Sequence, residues 1–306
     1  MLLSGGARHL YSMLKAGGMK YKILLNVNDY PVMLMSGKDI SRKMKTDELV
    51  LSMSLRVGMG NPSIGVASKL GFDFVYFDFE HGVLEVETFA QLVREARLAG
   101  LAALCRVPGL DAAFVNRVLD AGANGVVFPH IKTRQDALRA VGIVKYCTPE
   151  TPFGKRGFEP AYGSPKLESE SWSDYFKRVN EETLVGLMIE DKEGVDNVHE
   201  ILSVKGIDFV YIGKMDLAFS YGVPFKPRAG RDDPVVEKAV AKVCIECKKT
   251  RIPVRFSVGM APEDVVDNVK RWLAKGRSQL FMVNDYTLLM QGASHYVTTL
   301  KKGLEK

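Results

Sequence analysis

Glu190 and Asp216 each follow a short apolar run rich in β-formers, and a helical segment over 195–204 separates the two runs. This is one strand-helix-strand unit. In a parallel sheet the carboxyl ends of neighbouring strands lie side by side, so the two carboxylates share a rim. Paired oxygen donors of this kind are what a hard divalent cation such as Mg²⁺ or Mn²⁺ takes. The bland alternative is that both acids only face solvent. Other predicted strands also end in polar residues: Asp78, Glu80 and His81 on the second, Arg106 on the third. Two carboxylates for a metal, an Arg for a developing oxyanion and a His for proton transfer are the parts of enolate chemistry. A metal polarises a 2-oxo acid through its keto and carboxylate oxygens, and loss of a proton or a carbon substituent from the adjacent carbon gives the enolate. His130 follows Pro129 and reads as a turn residue without a role, and His9, His199 and His295 read as structural.

The elements that must hold these residues recur regularly. Strands are predicted over 49–56, 72–80, 101–107, 125–130, 184–190, 209–216, 253–258 and 280–283. Helices are predicted over 61–70, 86–98, 111–121, 134–146, 195–204, 234–249, 262–274 and 287–300. Eight nearly continuous apolar strands, each followed by a helix, predict an α/β protein with a closed parallel (β/α)8 TIM barrel, whose site lies at the carboxyl ends of the strands. An open doubly wound sheet would carry a glycine-rich turn after its first strand, and only G-x-G stands there, at Gly58 and Gly60. The alternation begins at Glu48, so residues 1–47 form an N-terminal extension and 48–306 the catalytic barrel. Residues 1–28 carry Arg8, Lys15, Lys20 and Lys22 and no acid, a composition that fits a helix packed beside the barrel or, as the second choice, a transit peptide. The long link over 147–182, with a short helix near Trp172, is expected to be a lid on the catalytic rim.

The net charge of +6 is dispersed rather than gathered in a basic block, which suits anionic metabolites and argues against nucleic acid. No apolar run is long enough for a membrane span. Cys105, Cys147, Cys244 and Cys247 make no disulfide framework, so a reducing, cytoplasmic setting is expected. Cys244 and Cys247 form a C-x-x-C inside a predicted helix without a second ligand pair, which argues against zinc.

Several stretches together resemble the metal-dependent class II pyruvate aldolases of the HpcH/HpaI aldolase/citrate lyase family, over roughly residue 48 to the C-terminus. They are F-D-F-V-Y-F-D-F-E-H-G over 72–82, Arg106-Val107-Pro108, L-D-A-G-A over 119–123, G-K-R-G over 154–157, Ile189-Glu190 and I-G-K-M-D-L over 212–217. The resemblance implies a barrel of the phosphoenolpyruvate/pyruvate type, with Glu190 and Asp216 binding Mg²⁺ or Mn²⁺. It implies that Arg106 stabilises the enolate oxygen, that His81 moves the proton with Asp120, that Asp78 belongs to the catalytic set, and that the amides of Met215 and Asp216 hold the substrate carboxylate. It further implies a homo-oligomer, trimeric or hexameric, cleaving or forming a 2-oxo-4-hydroxy acid from a 2-oxo acid and an aldehyde. The chain departs from the family pattern at Met188, where Gln is usual, at Lys214 for Pro and at Ala218 for Ser. Four alternatives stay open: an oxaloacetate decarboxylase, an acyl-CoA lyase, a silent 2-oxo-acid-binding protein, and a Schiff-base aldolase. The last would use Lys214, two residues before Asp216 and hence on the same face of the sixth strand.

Overall fold

The computed structural model describes residues 23–25, 31–33, 35–46, 48–56, 58, 60–160, 162–224, 233–257, 265–267, 269–270, 274 and 280–304. A short antiparallel pair, β1 (Ile23–Leu25) and β2 (Pro31–Met33), comes first. Then α1 (Gly37–Lys45) starts at a capping box in which Ser36 and Asp39 satisfy each other's backbone amides. The candidate transit segment lies almost wholly outside the described residues.

Eight strands follow. They are β3 (Val50–Ser54), β4 (Phe74–Asp78), β5 (Ala102–Arg106), β6 (Gly125–Phe128), β7 (Leu184–Ile189), β8 (Phe209–Ile212), β9 (Val254–Ser257) and β10 (Leu280–Asn284). Every pairing is parallel, and β10 returns to β3 to close the barrel. Between them lie α2 (Asn61–Lys69), α3 (Val86–Leu98), α4 (Ala112–Asp120), α5 (Arg134–Val144), α6 (Trp172–Glu182), α7 (Lys192–Asp196), α8 (Val198–Leu202), α9 (Lys214–Ser220) and α10 (Pro234–Thr250). The last described element is α11 (Asp285–Leu304). The helix expected over 195–204 is split at Asn197 into α7 and α8. Most of the helix expected over 262–274 falls outside the described residues.

The strands are apolar on both faces because both are covered. Val75, Phe77, Val126 and Val185 face outward with the helices in one cluster, whereas Phe74, Tyr76, Leu104, Val127, Met188 and Phe209 fill the barrel. Ile40 and Met44 of α1 join that interior cluster, so α1 closes the amino end of the barrel although it precedes the strand-helix repeat.

The link between α5 and β7 corrects an expectation. It leaves the carboxyl end of a helix, and a helix that follows a barrel strand runs back toward the amino ends of the strands. The insertion therefore packs at the rim opposite the site: Gly163 N–H donates to Asp120 O at 2.8 Å, and Gly157 N–H to the Asn116 side chain at 3.2 Å. Within this chain it is no lid. Its aromatic residues Tyr146, Phe158, Trp172, Tyr175 and Phe176 pack on one another instead.

Candidate active site

At the carboxyl rim, β4 and β5 end in a matched pair. Asp78 and Arg106 are register partners. Arg106 donates from Nε to Asp78 Oδ1 at 2.9 Å and from Nη2 to Oδ2, a two-pronged fork that fixes the guanidinium plane. Burial works against both charges, but the fork outweighs it, holding the Asp78 carboxyl below its ordinary range and Arg106 above its own. The third nitrogen, Nη1, lies 2.6 Å from Glu80 Oε2 without hydrogen-bond alignment, and 3.9 Å from the Met188 sulfur. Arg56 reaches Asp78 Oδ2 from the solvent side at 3.4 Å.

After Asp78 the chain turns back sharply. The amides of Glu80 and His81 donate to Asp78 Oδ1 at 3.1 and 3.3 Å, and a Cβ on Gly82 would stand 2.0 Å from Asp78 O, so this turn requires Gly. The turn leaves the His81 ring exposed at the mouth, 3.9 Å from Glu80 Oε2.

Beyond β6, at β7 and β8, the charges do not match. Glu190, 1% exposed, follows β7. Its Oε1 accepts the His130 amide at 2.9 Å, and its Oε2 is buried with no hydrogen-bond partner. Beside that oxygen stands Gly213, where a Cβ would come within 2.2 Å of it. Burial, reinforced by the charges of Asp216 and Glu80, pushes the Glu190 carboxyl up to about 7 against the opposing effect of His130. Asp216 is half-buried.

Asp216 does not end a strand. β8 stops at Ile212, and Gly213 is the N-cap of α9, so Lys214, Met215 and Asp216 form the first helical turn. In a helix, residues two apart point in different directions. Lys214 accordingly turns away from the rim and pairs with Glu237 of α10 at 2.7 Å. Met215 and Asp216 remain together in the first turn, and Ala218 is buried one turn on.

Two rim residues were missed from the sequence. His130, given no role there, adopts φ 53°, a left-handed conformation costly for a residue with a Cβ. It reaches Asp191 Oδ2 from Nδ1 at 3.0 Å, Glu190 Oε1 from Nδ1 at 3.7 Å and Glu80 Oε1 from Nε2 at 3.4 Å. Burial opposes its charge, yet the surrounding acids win and raise its affinity for a proton. Glu80 stood in the motif unassigned and bridges Arg106 to His130. The signal available was position alone: each is the last residue of a predicted strand. Asp120, by contrast, is the last residue of α4, at the opposite rim beside Arg156 and Glu159; burial raises its pKa, with Arg156 opposing. One chain therefore does not bring Asp120 to His81.

Closely spaced acids, a forked guanidinium and an exposed imidazole at the carboxyl rim of a (β/α)8 barrel define a carbon–carbon lyase of the aldolase kind. The family model for HpcH/HpaI aldolase/citrate lyase matches residues 58–280, and the chain belongs to that family. It is 26% identical over 231 residues to 2-dehydro-3,6-dideoxy-6-sulfogluconate aldolase of Pseudomonas putida, covering 76% of this chain and 85% of that protein. It is 30% identical over 219 residues to 4-hydroxy-4-methyl-2-oxoglutarate aldolase of Chaetomium globosum, covering 70% and 77%. A crystal structure of a family protein from Burkholderia cenocepacia superposes with a TM-score of 0.75 at 26% identity, over 86% of this chain and 99% of that one.

Proposed function

We propose that this lyase works through the enolate of a 2-oxo acid, pyruvate being the simplest, and cleaves or forms a 2-oxo-4-hydroxy acid with an aldehyde as the second partner. One observation carries the reading: the partnerless buried oxygen of Glu190 faces Gly213 at the start of the helix that holds Asp216. Two carboxylates whose charges repel need a shared cation or proton. Hard oxygen donors with no thiolate nearby fit Mg²⁺ or Mn²⁺. Among the described residues no cluster of three or more His, Cys, Asp or Glu side chains is arranged for a metal, so water and substrate oxygens would complete the coordination. A bound divalent cation would act as a Lewis acid on the keto group.

The chain's own residues supply the rest. Arg106, immobilised by Asp78, presents Nη1 toward the place where the enolate oxygen gains charge. Such a fixed donor contributes most because nothing has to reorganise during the reaction. In the cleavage direction the 4-hydroxyl loses its proton to a base, the C3–C4 bond breaks to leave the aldehyde, and its electron pair becomes the enolate, which takes a proton at C3. His81, exposed at the mouth, is suited to carry that proton. The amides of Met215 and Asp216 at the start of α9 are assigned to the substrate carboxylate.

α11 has no buried residue and exposes Tyr286, Leu289, Tyr296, Val297 and Leu300, which supports a homo-oligomer in which a second copy covers it. No described helix is long and apolar enough to cross a membrane, in keeping with the cytoplasmic setting proposed.

The test is exchange of the pyruvate methyl protons with deuterium, followed with Mg²⁺ or Mn²⁺ and again with EDTA. Exchange that needs the cation supports the enolate reading. Full exchange in EDTA overturns it.

A further inference from the structure

Below the rim, the barrel interior contains a second guanidinium, that of Arg255. Strand β9 alternates Val-Arg-Phe-Ser, and the register that pairs Arg255 with Tyr211 and Leu280 turns its side chain inward. It is 0% exposed. Its Cζ stacks 3.9 Å from the centroid of Tyr76 and 5.2 Å from that of Tyr211, with Phe74 at 5.7 Å. Nη2 has Ser52 Oγ at 3.4 Å and the Met282 sulfur, while Nε and Nη1 have no acceptor. Among the described residues no acid lies within ion-pair distance of it.

A buried cation without a counter-charge is expensive, and stacking on aromatic rings offsets only part of that cost. A methionine or leucine would fill the same space at lower cost. The position of Arg255 suggests what the charge does. Tyr76 lies one inward step before Asp78 on β4, so the stack Arg255–Tyr76 ends directly beneath the Asp78–Arg106 fork, and Tyr76 feels both guanidiniums. Around that fork the acids Asp78, Glu80, Glu190, Asp191 and Asp216 outnumber the fixed cations Arg56, Arg106 and Lys132. An anionic substrate would enter against this excess. Charges separated by low-dielectric protein interact over longer range than charges in water.

We infer that Arg255 is a positioning residue of the site: a fixed positive charge beneath Tyr76 and Arg106 that favours binding of an anionic 2-oxo acid and its enolate, at the expense of barrel stability. The inference rests on the functional reading above. It makes a prediction a purely structural arginine does not make, because stability and affinity should move in opposite directions.

The experiment compares the unmodified protein with Arg255→Met and Arg255→Lys, measuring the melting temperature of each and the Kd for pyruvate and for oxalate with Mn²⁺ present. Arg255→Met should melt at the same temperature or higher and bind both anions roughly tenfold more weakly. Arg255→Lys should weaken both anions as well, since an amine buried without a counter-charge gives up its proton far more readily than a guanidinium. Arg255→Met with unchanged affinity overturns the inference. So does an Arg255→Met that melts far lower or does not fold, because the guanidinium would then be holding the barrel together. Failure of the unmodified protein to bind either anion would be distinguishable from both results and would overturn the functional reading together with this inference.

Discussion

Two seams of the barrel end at the same rim and are built oppositely. Where β4 meets β5, an acid and a base stand in register and close on each other through two hydrogen bonds. Where β7 meets β8, Glu190 comes under the charge of a second acid, Asp216, and one of its oxygens is left buried with nothing to accept from. The first seam is complete as folded. The second is complete only with a proton or a cation, and the proposed enolate chemistry would take place there. Arg106 links the seams, since its forked half belongs to the first and its remaining nitrogen faces Glu80 and Met188 toward the second.

The sharpest way to break the contrast is to neutralise the incomplete seam. Glu190→Gln and Asp216→Asn should each weaken divalent-cation binding and reduce pyruvate deuterium exchange by about 10³-fold or more. Because each change removes one of two repelling charges, the metal-free protein should not become less stable. A large fall in melting temperature would show that Glu190 is structural. Arg106→Met attacks the complete seam and should behave otherwise. It leaves Asp78 buried and uncompensated, so it should cost about 3–5 kcal/mol of stability in denaturant titrations as well as about 10²-fold or more in exchange. Next comes His81→Ala, which should keep cation and oxalate affinity while slowing exchange about 10²-fold.

The seams should also differ in pH dependence. Glu190 has its folded pKa raised, mainly by burial, from the ordinary carboxylate value of 4.5 to about 7. An acid shifted upward favours the folded state while protonated. Its contribution is therefore fully present below pH 4.5 and is lost as pH rises through 7, on the order of 3 kcal/mol in all. Metal-free protein should lose stability across that window, and cation affinity should rise over the same window as the proton is displaced. Asp78 is shifted downward and contributes in the opposite sense, its stabilisation being lost only as pH falls through the acid range. Equilibrium unfolding followed from about pH 2 to 8 with EDTA, and again with Mn²⁺, separates the two. A metal-free profile that is flat from 4.5 to 7 would contradict the burial assigned to Glu190.

Much of the barrel was legible in the sequence because a strand buried on both faces leaves an unbroken apolar run, and all eight predicted runs overlap observed strands. What went wrong has physical reasons. The strand predicted over 209–216 stops at Ile212, because Gly213 is the N-cap of a helix that starts there. The insertion over 147–182 was assigned to the catalytic rim from its length, although its place after a helix puts it at the other end. Of the site, Asp78, Arg106 and Glu190 were legible at the rim from strand ends, whereas Asp216 reaches it from the first turn of a helix that the sequence reads as strand. His130 was not legible, because its left-handed backbone and the acceptance of its amide by Glu190 from a neighbouring strand are tertiary features that no local pattern shows. Arg255 could have been noticed, since a charge inside a predicted continuous apolar strand has to be accommodated somewhere.

The smallest effect is expected at Lys214, and it decides between two mechanisms. A Schiff-base aldolase needs an uncharged amine within reach of the substrate keto carbon. Read as the end of a strand, Lys214 would share a face with Asp216 and meet that need. In α9 it occupies the first helical position, two before Asp216 and therefore on a different side, and it is ion-paired with Glu237 at 2.7 Å, away from the rim. Lys214→Met should thus change exchange by no more than about threefold, because the pair with Glu237 lies away from the rim. Borohydride added with pyruvate should leave no covalent adduct on the unmodified protein. Trapped pyruvate at Lys214, together with exchange that survives Glu190→Gln, would transfer the chemistry from the seam of like charges to the lysine.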